Sequence, residues 1–366
     1  MRVFHIHAEQ FTELDALPEA LPAAGLLWIG SERSEFAEGV AQLQAALLRW
    51  TGGQLVDLHV SDLLNPQLPS HFDYTSWYDL MVFRRLALGP GSEAMLADEA
   101  SATPAGTRKA LQGIDTSPVG FAVFDRVLIT VHPPDCAVRE YFAQRLMTQA
   151  TAAESRGAAR MPGSPADLML RMLNHIVDSY LDLRRLLTRQ LGTLQQSLLD
   201  PRNRFNDWAV LLNSRNALHM LEDTCEDQRS AVQEWIDALD EWPDEADVHA
   251  RRERELLRVR SRDVQEHVER VLTHVRRLEQ SAETAVQMHF SALGHRTNAI
   301  MRTLTVLTAI FMPLNLITGF FGMNFDALPF IHQSTGVWVA VALMAAVGLG
   351  LWFLFRRKRY IGTREE

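Results

Sequence analysis

The tripeptide Gly322-Met323-Asn324, within FFGMNFDALP, stands between two long apolar runs. An asparagine there puts a neutral amide oxygen at the mouth of a membrane helix. A ring of such carbonyls, one per copy of the chain, would accept hydrogen bonds from the water shell of an arriving cation without stripping that shell. Mg2+ is the ion for which this matters most, because it dehydrates reluctantly and favours an octahedron of oxygens. A carboxylate ring would select more by charge, an amide ring more by hydration geometry. A local alternative also fits the tripeptide: glycine and asparagine both end helices.

The tripeptide closes a stripe that begins far upstream. Arg277, Gln280, Thr284, Gln287, Ser291, Gly294, Asn298, Met301, Thr305, Thr308, Met312, Asn315 and Gly319 recur at helical steps of three and four. Every member is polar, small or Met, even where the surrounding residues are Ile, Leu, Val and Phe. Polar positions in a membrane helix face other helices or water. A stripe this long predicts a water-filled path formed by several parallel copies, and hence a symmetric oligomer.

The elements that must position these residues follow from the apolar pattern. From Ala299 to Phe321 the only ionisable residue is Arg302, and Gly336 to Phe355 has none. Each run has about 20 residues, enough to cross ~30 Å of hydrocarbon. Arg356, Arg357, Lys358 and Arg359 follow the second run, while the connecting segment has no Lys or Arg. The positive-inside rule then predicts an external connection and cytoplasmic termini. MRVFHIHAEQ lacks an apolar h-region, which predicts no cleaved signal peptide. Cys136 and Cys225 have no CxxC spacing, which fits a reducing compartment.

Upstream, RVFHIHA, GLLWIG, QLVDLHV, YDLMVFRRL and GFAVFD/RVLITVH read as strands, with a helix over SEFAEGVAQLQAALLRW. GPGSEAMLADEASATPAGTRKALQGIDTSP reads as a surface excursion. Residues 136–160, 164–199 and 202–241 have helical periodicity, broken at Asp200-Pro201 and Trp242-Pro243. From Asp244 no proline occurs before Pro313, which predicts one helix through the first apolar run. Its roughly 77 residues at about 1.5 Å each make it ~115 Å long. Val264, Val268, Val271, Val275, Leu278, Ala282 and Ala285 form a heptad seam on it, and its length implies packing against copies of itself.

The expected architecture is an α+β membrane protein. It comprises a cytoplasmic α/β domain (1–135), a helical hairpin region (136–242) and a long stalk helix (243–298). The stalk continues into a pore-lining span (299–321), followed by an external loop (322–335), a second span (336–355) and a basic tail (356–366).

TNAIMRTLTVLTAIFMPLNLITGFFGMNF, followed by a short loop, a second span and a basic tail, resembles the CorA family of divalent-cation channels. The resemblance implies a funnel-shaped homopentamer in the cytoplasmic membrane, with a central pore and both termini inside. It implies Asn298 and Met301 at a cytoplasmic constriction, Leu304 and Met312 as hydrophobic gates, and Gly322, Met323 and Asn324 as the external filter. It also implies closure by intracellular Mg2+ bound between subunits. Asp263 falls at the stalk acid, with Glu266 a turn later; Asp73 and Asp79 are candidates for the partner acid. A solvated helix surface is the competing reading of Asp263.

Some positions depart from the family pattern. The loop has one acid, Asp326, and no MPEL-like Glu. Thr308 and Asn315 are more polar than the family leads one to expect, and Gln287 stands where an acid can occur. Met323 favours the magnesium branch over the zinc-transporting ZntB-like one, whereas His332 suits Zn2+, Co2+ or Ni2+.

A net charge of −9 is the opposite of what a nucleic-acid binder shows; it would concentrate cations near the entrance, or else form an ordinary solvated acidic surface. No Walker A loop, GxSxG or HExxH is present, so neither an enzyme nor an ATP-driven pump is expected. His5 and His7 share one strand face without a third metal ligand in sequence reach. Membrane potential, worth about 2.3 kcal/mol per charge per 100 mV, is the expected driving force; proton coupling is the alternative. A membrane-anchored scaffold would have no use for the polar stripe.

Overall fold

A computed structural model describes residues 1–89, 104–134, 136–152, 161–199, 208–242, 247–323 and 334–358. Two compact units are present, Met1–Thr284 and Ala285–Glu366.

The first unit is built on a seven-stranded sheet. Its strands are β1 (Arg2–His7), β2 (Gln10–Leu14), β3 (Leu26–Glu32), β4 (His71–Tyr74), β5 (Asp79–Arg84), β8 (Pro118–Val123) and β9 (Val127–His132), in the order β2-β1-β3-β9-β8-β5-β4. A separate pair joins β6 (Ala87–Leu88) to β7 (Ile114–Asp115). The central β3 and β9 run parallel, with Ile29 opposite Ile129. Their sequences, LLWIGSE and VLITVH, are apolar on both faces, as strands covered on both sides must be. Leu27, Ile29, Val127, Ile129 and Val131 pack against Phe36, Leu43 and Leu47 of α1 (Arg33–Thr51) and Leu63 of α2 (Asp57–Leu64). Glu35 accepts a hydrogen bond from the Glu32 backbone N–H at the start of α1, and Gly52 ends that helix at φ 77°.

The remaining helices of this unit are α3 (Pro104–Gln112), α4 (Ala137–Ala152), α5 (Pro165–Asp178), α6 (Tyr180–Leu199), α7 (Trp208–Glu241) and the first part of α8 (Val248–Phe321). Ser164 caps α5 by accepting from the Asp167 N–H, with Pro165 in the first turn. Trp235 donates to Ser261 at 2.9 Å, and Tyr180 Oη lies 2.7 Å from His274 Nδ1. Gln195 donates to Ser281 at 2.8 Å. These bonds fasten α6 and α7 to α8.

Three expectations change. QLVDLHV is no strand: α2 begins at Asp57, and His59 is buried against Tyr78 Oη at 2.7 Å. Part of the expected surface excursion is core, since α3 buries Ala110 against Leu186 of α6. The heptad seam does not wait for another copy, because Val264, Val268, Val271 and Val275 are buried within this chain.

In the second unit, the remainder of α8 is followed by α9 (Ser334–Arg357). Both helices are long and apolar enough to cross a membrane. Pro313 lies inside α8 and leaves the carbonyl four residues earlier, on Ala309, without its helical donor.

Candidate ion pathway and regulatory acids

Every stripe residue from Arg277 to Gly319 is exposed in the single chain. Met312 is 71% exposed and Met301 61%. Leu304, expected as a hydrophobic gate, is exposed as well. The shielded residues of the span lie elsewhere: Val306 is buried, and Ala309, Ile310, Pro313, Leu314 and Ile317 are partly buried. At 3.6 residues per turn these form one face, and Met301, Thr305, Thr308, Met312, Asn315 and Gly319 occupy the opposite side of the helix.

The threonines on that side have a defined polarity. Thr305 donates to the Met301 carbonyl at 2.8 Å and Thr308 to the Leu304 carbonyl at 2.9 Å. With the proton spent on the backbone, each hydroxyl oxygen keeps its acceptor capacity outward. The stripe therefore alternates oxygen acceptors with the Met301 and Met312 thioethers. Gly294 and Gly319 have nothing within 4 Å of an added Cβ, so no contact among the described residues explains their size.

At the end of α8, Gly322 N–H donates to the Thr318 carbonyl at 2.9 Å and Met323 N–H to Phe320 at 3.4 Å. Gly322 is not among the residues with positive φ. Its small size is required by a close approach instead, because an added Cβ would stand 2.9 Å from the Thr318 carbonyl oxygen. Met323 is exposed, while Asn324, Asp326 and His332 lie outside the described residues.

The four acids proposed for regulation occupy two places in the first unit. On α8, Asp263 lies 3.8 Å from His267 Nε2, whose Nδ1 is 3.3 Å from Asp178. Glu266 pairs with Arg270 one turn on. On the sheet edge, Asp73 is engaged by the buried His59, with Nε2 to Oδ2 at 3.0 Å. Burial opposes ionisation of Asp73, but the His59 hydrogen bond and the Tyr74 N–H hold its carboxyl below the usual range. Asp79 is the reverse case: burial and the neighbouring Asp125 carboxylate push it up to about 6.

Asp79 and Asp125 line a cavity of about 220 Å3 with Glu253, Arg251 and Arg254. Asp125 and Glu253 were missed from sequence; the one readable signal was the position of Asp125 at the tip of the β8–β9 hairpin. Among the described residues, no hydrogen bond or ion pair joins Asp263 or Glu266 to Asp73 or Asp79 within one chain.

A large α/β unit, a helix continuing into an apolar span and a second span define a membrane protein with two spans. The family described as "CorA-like Mg2+ transporter protein" matches residues 106–357, and the chain belongs to this family. The "Cobalt/magnesium transport protein CorA" of Thermotoga maritima is 29% identical over 100 residues, covering 27% of this chain and 28% of its own length. The "Magnesium transport protein CorA" of Haemophilus influenzae is 30% identical over 101 residues, covering 28% of this chain and 32% of its own. The alignments thus span about a third or less of these relatives.

The fold likeness extends further. The CorA magnesium transporter structure from Methanocaldococcus jannaschii superposes with a TM-score of 0.71 at 18% identity, over 98% of both chains. The full-length CmaX structure superposes with a TM-score of 0.61 at 17% identity, over 98% of this chain and 97% of that one.

Proposed function

We propose that five copies of the chain surround a pore lined by α8 and conduct Mg2+ into the cytoplasm, driven by membrane potential. The observation that carries this reading is the exposed stripe, which keeps its small and oxygen-bearing side chains on the side of α8 opposite its shielded face. Asparagine amides, together with threonine oxygens whose acceptor sites face outward, would be costly in hydrocarbon; water in a pore removes that cost. Rings of Leu304 and Met312 gate by excluding water when narrow. Asn324 holds the hydrated ion at the outer end. The functions named for the Thermotoga and Haemophilus relatives support Mg2+, with Co2+ as a second substrate. Intracellular Mg2+ closes the pore by binding Asp263 and Glu266 of one subunit with Asp73 or Asp79 of its neighbour.

The test is uptake into liposomes holding the purified protein, with Mg2+ and Zn2+ compared and Asn324→Ala as control. Voltage-driven Mg2+ entry that is lost in the variant is the expected result. Zn2+ entry following a proton gradient would move the chain to the ZntB-like reading. No flux of either ion would remove transport altogether.

A further inference from the structure

His219 and Glu222 lie three residues apart on α7, so their side chains share one helix face. Glu279 meets them from α8. One ligand atom from each of the three lies within 4.8 Å of the other two, and His219 Nε2 is 3.2 Å from Glu279 Oε1. We propose that these residues form a transition-metal site in the cytoplasmic unit, separate from the stripe and from the four regulatory acids, with Zn2+ as the ion that fits.

The donor set decides the ion. An imidazole nitrogen with two carboxylates suits Zn2+, Co2+ or Ni2+, whereas Mg2+ asks for oxygens and water. Donors at ~2.0 Å from a tetrahedral Zn2+ stand about 3.3 Å apart; His219 Nε2 and Glu279 Oε1 already have that spacing, and Glu222 has to close by up to about 1.5 Å. Their side chains are exposed or partly exposed and can rotate.

The surroundings fit a ligand set. Arg276 Nε donates to Glu222 Oε1 at 2.7 Å and also bonds Glu226, which fixes the Glu222 carboxylate while leaving its second oxygen for the ion. Such support of a ligating carboxylate by a hydrogen-bonded partner is common at metal sites. His219 Nε2 also receives a contact from Arg215 Nε at 3.4 Å. That nitrogen cannot both accept from Arg215 and donate to Glu279, so a metal would replace whichever of the two contacts it makes. A bound ion would tie α7 to α8 through this unit, giving the protein a response to transition metal that does not depend on which ion it conducts.

The experiment is a Zn2+ titration of the full chain in detergent, freed of metal and read by competition with a chelating dye, with Co2+ absorption reporting the ligand geometry. One site per chain that survives millimolar Mg2+ is expected. His219→Ala and the isosteric Glu279→Gln should each weaken it by more than about tenfold, while melting like the unaltered chain. A His5→Ala/His7→Ala double variant, which removes the other histidine pair, should bind as before. Absence of the site, equal competition by Mg2+, or undiminished affinity in Glu279→Gln would overturn the proposal.

Discussion

Leu314 of α8 rests on Gly348 of α9: both methyl carbons lie 3.9 Å from where a Cβ on Gly348 would stand. This contact identifies the side of α8 turned toward the second span, and it leaves the polar stripe on the other side. Thr303 and Thr308 make a matched pair for testing that geometry. Each donates to the carbonyl four residues earlier, at 3.0 and 2.9 Å, and both are exposed, but only Thr308 belongs to the stripe. Thr308→Val keeps the shape and removes an oxygen that would hydrogen-bond to pore water, worth about 1 kcal/mol or roughly fivefold in flux. Thr303→Val should leave flux unchanged. Liposome uptake measured for the two variants side by side checks this, and equal effects would put the stripe off the pore axis.

Gly322→Ala tests the C-terminal end of α8 without touching Asn324. The new methyl would stand 2.9 Å from the Thr318 carbonyl oxygen, so the last turn of α8 has to shift. Overpacking of this kind costs about 1–3 kcal/mol. Reduced Mg2+ uptake with normal assembly is expected, read by flux together with gel filtration. Full uptake would mean that the end of α8 does not set the filter.

How much of this was legible depended on whether a signal was local. The run of α8 from Val248 to Phe321 was readable because its sequence has no proline until Pro313 and a single glycine, Gly294, before it, and the stripe because a period near 3.6 persists across two environments. QLVDLHV was not, since a short apolar run fits a strand or a buried helix equally; the Tyr78 hydroxyl, which contacts His59 Nδ1 and accepts from the Val56 N–H, belongs to a distant segment. The Val264–Val275 seam shows the same limit differently. Periodicity revealed that this face is buried but not that α6 and α7 of the same chain help fasten it. Asp79 beside Asp125 arises from strand pairing, with Asp79 opposite Val123, a relation that has no sequence signature.

Asp263 and Asp73 should separate regulation from structure. Asp263 is half exposed and, among the described residues, keeps a 3.8 Å contact with His267, so Asp263→Asn should leave thermal stability within about 0.5 kcal/mol. In the proposed role it should weaken inhibition by internal Mg2+. Asp73 is the partner of the buried His59, and Asp73→Ala should cost about 1–3 kcal/mol by leaving that imidazole nitrogen unpaired. Measuring melting and Mg2+ inhibition for both variants tests the assignment. Unchanged inhibition in Asp263→Asn would place the regulatory acids elsewhere.

The stability of the first unit should fall in mild acid, and His274 gives the sign. Burial, with Arg184 and Arg277 nearby, holds its imidazole down at about 4, while the unfolded chain titrates near the ordinary value of 6.5. A group whose folded value is depressed binds more protons unfolded between those limits, so stability present above about 6.5 is lost as pH falls toward 4. Buried His132, pushed down to about 3 by burial and by Arg139, Arg85 and Arg33, acts in the same direction over a wider range. His274 is partly exposed, so screening reduces its share to about 1–2 kcal/mol. His274→Gln keeps an amide facing Tyr180 and Thr188, which contact the ring at 2.7 and 3.3 Å, but cannot take up a proton. Denaturant melts from pH 7.5 to 4.5 should show a shallower decline for the variant. Parallel curves would mean that His274 already shares its proton equilibrium with the unfolded chain.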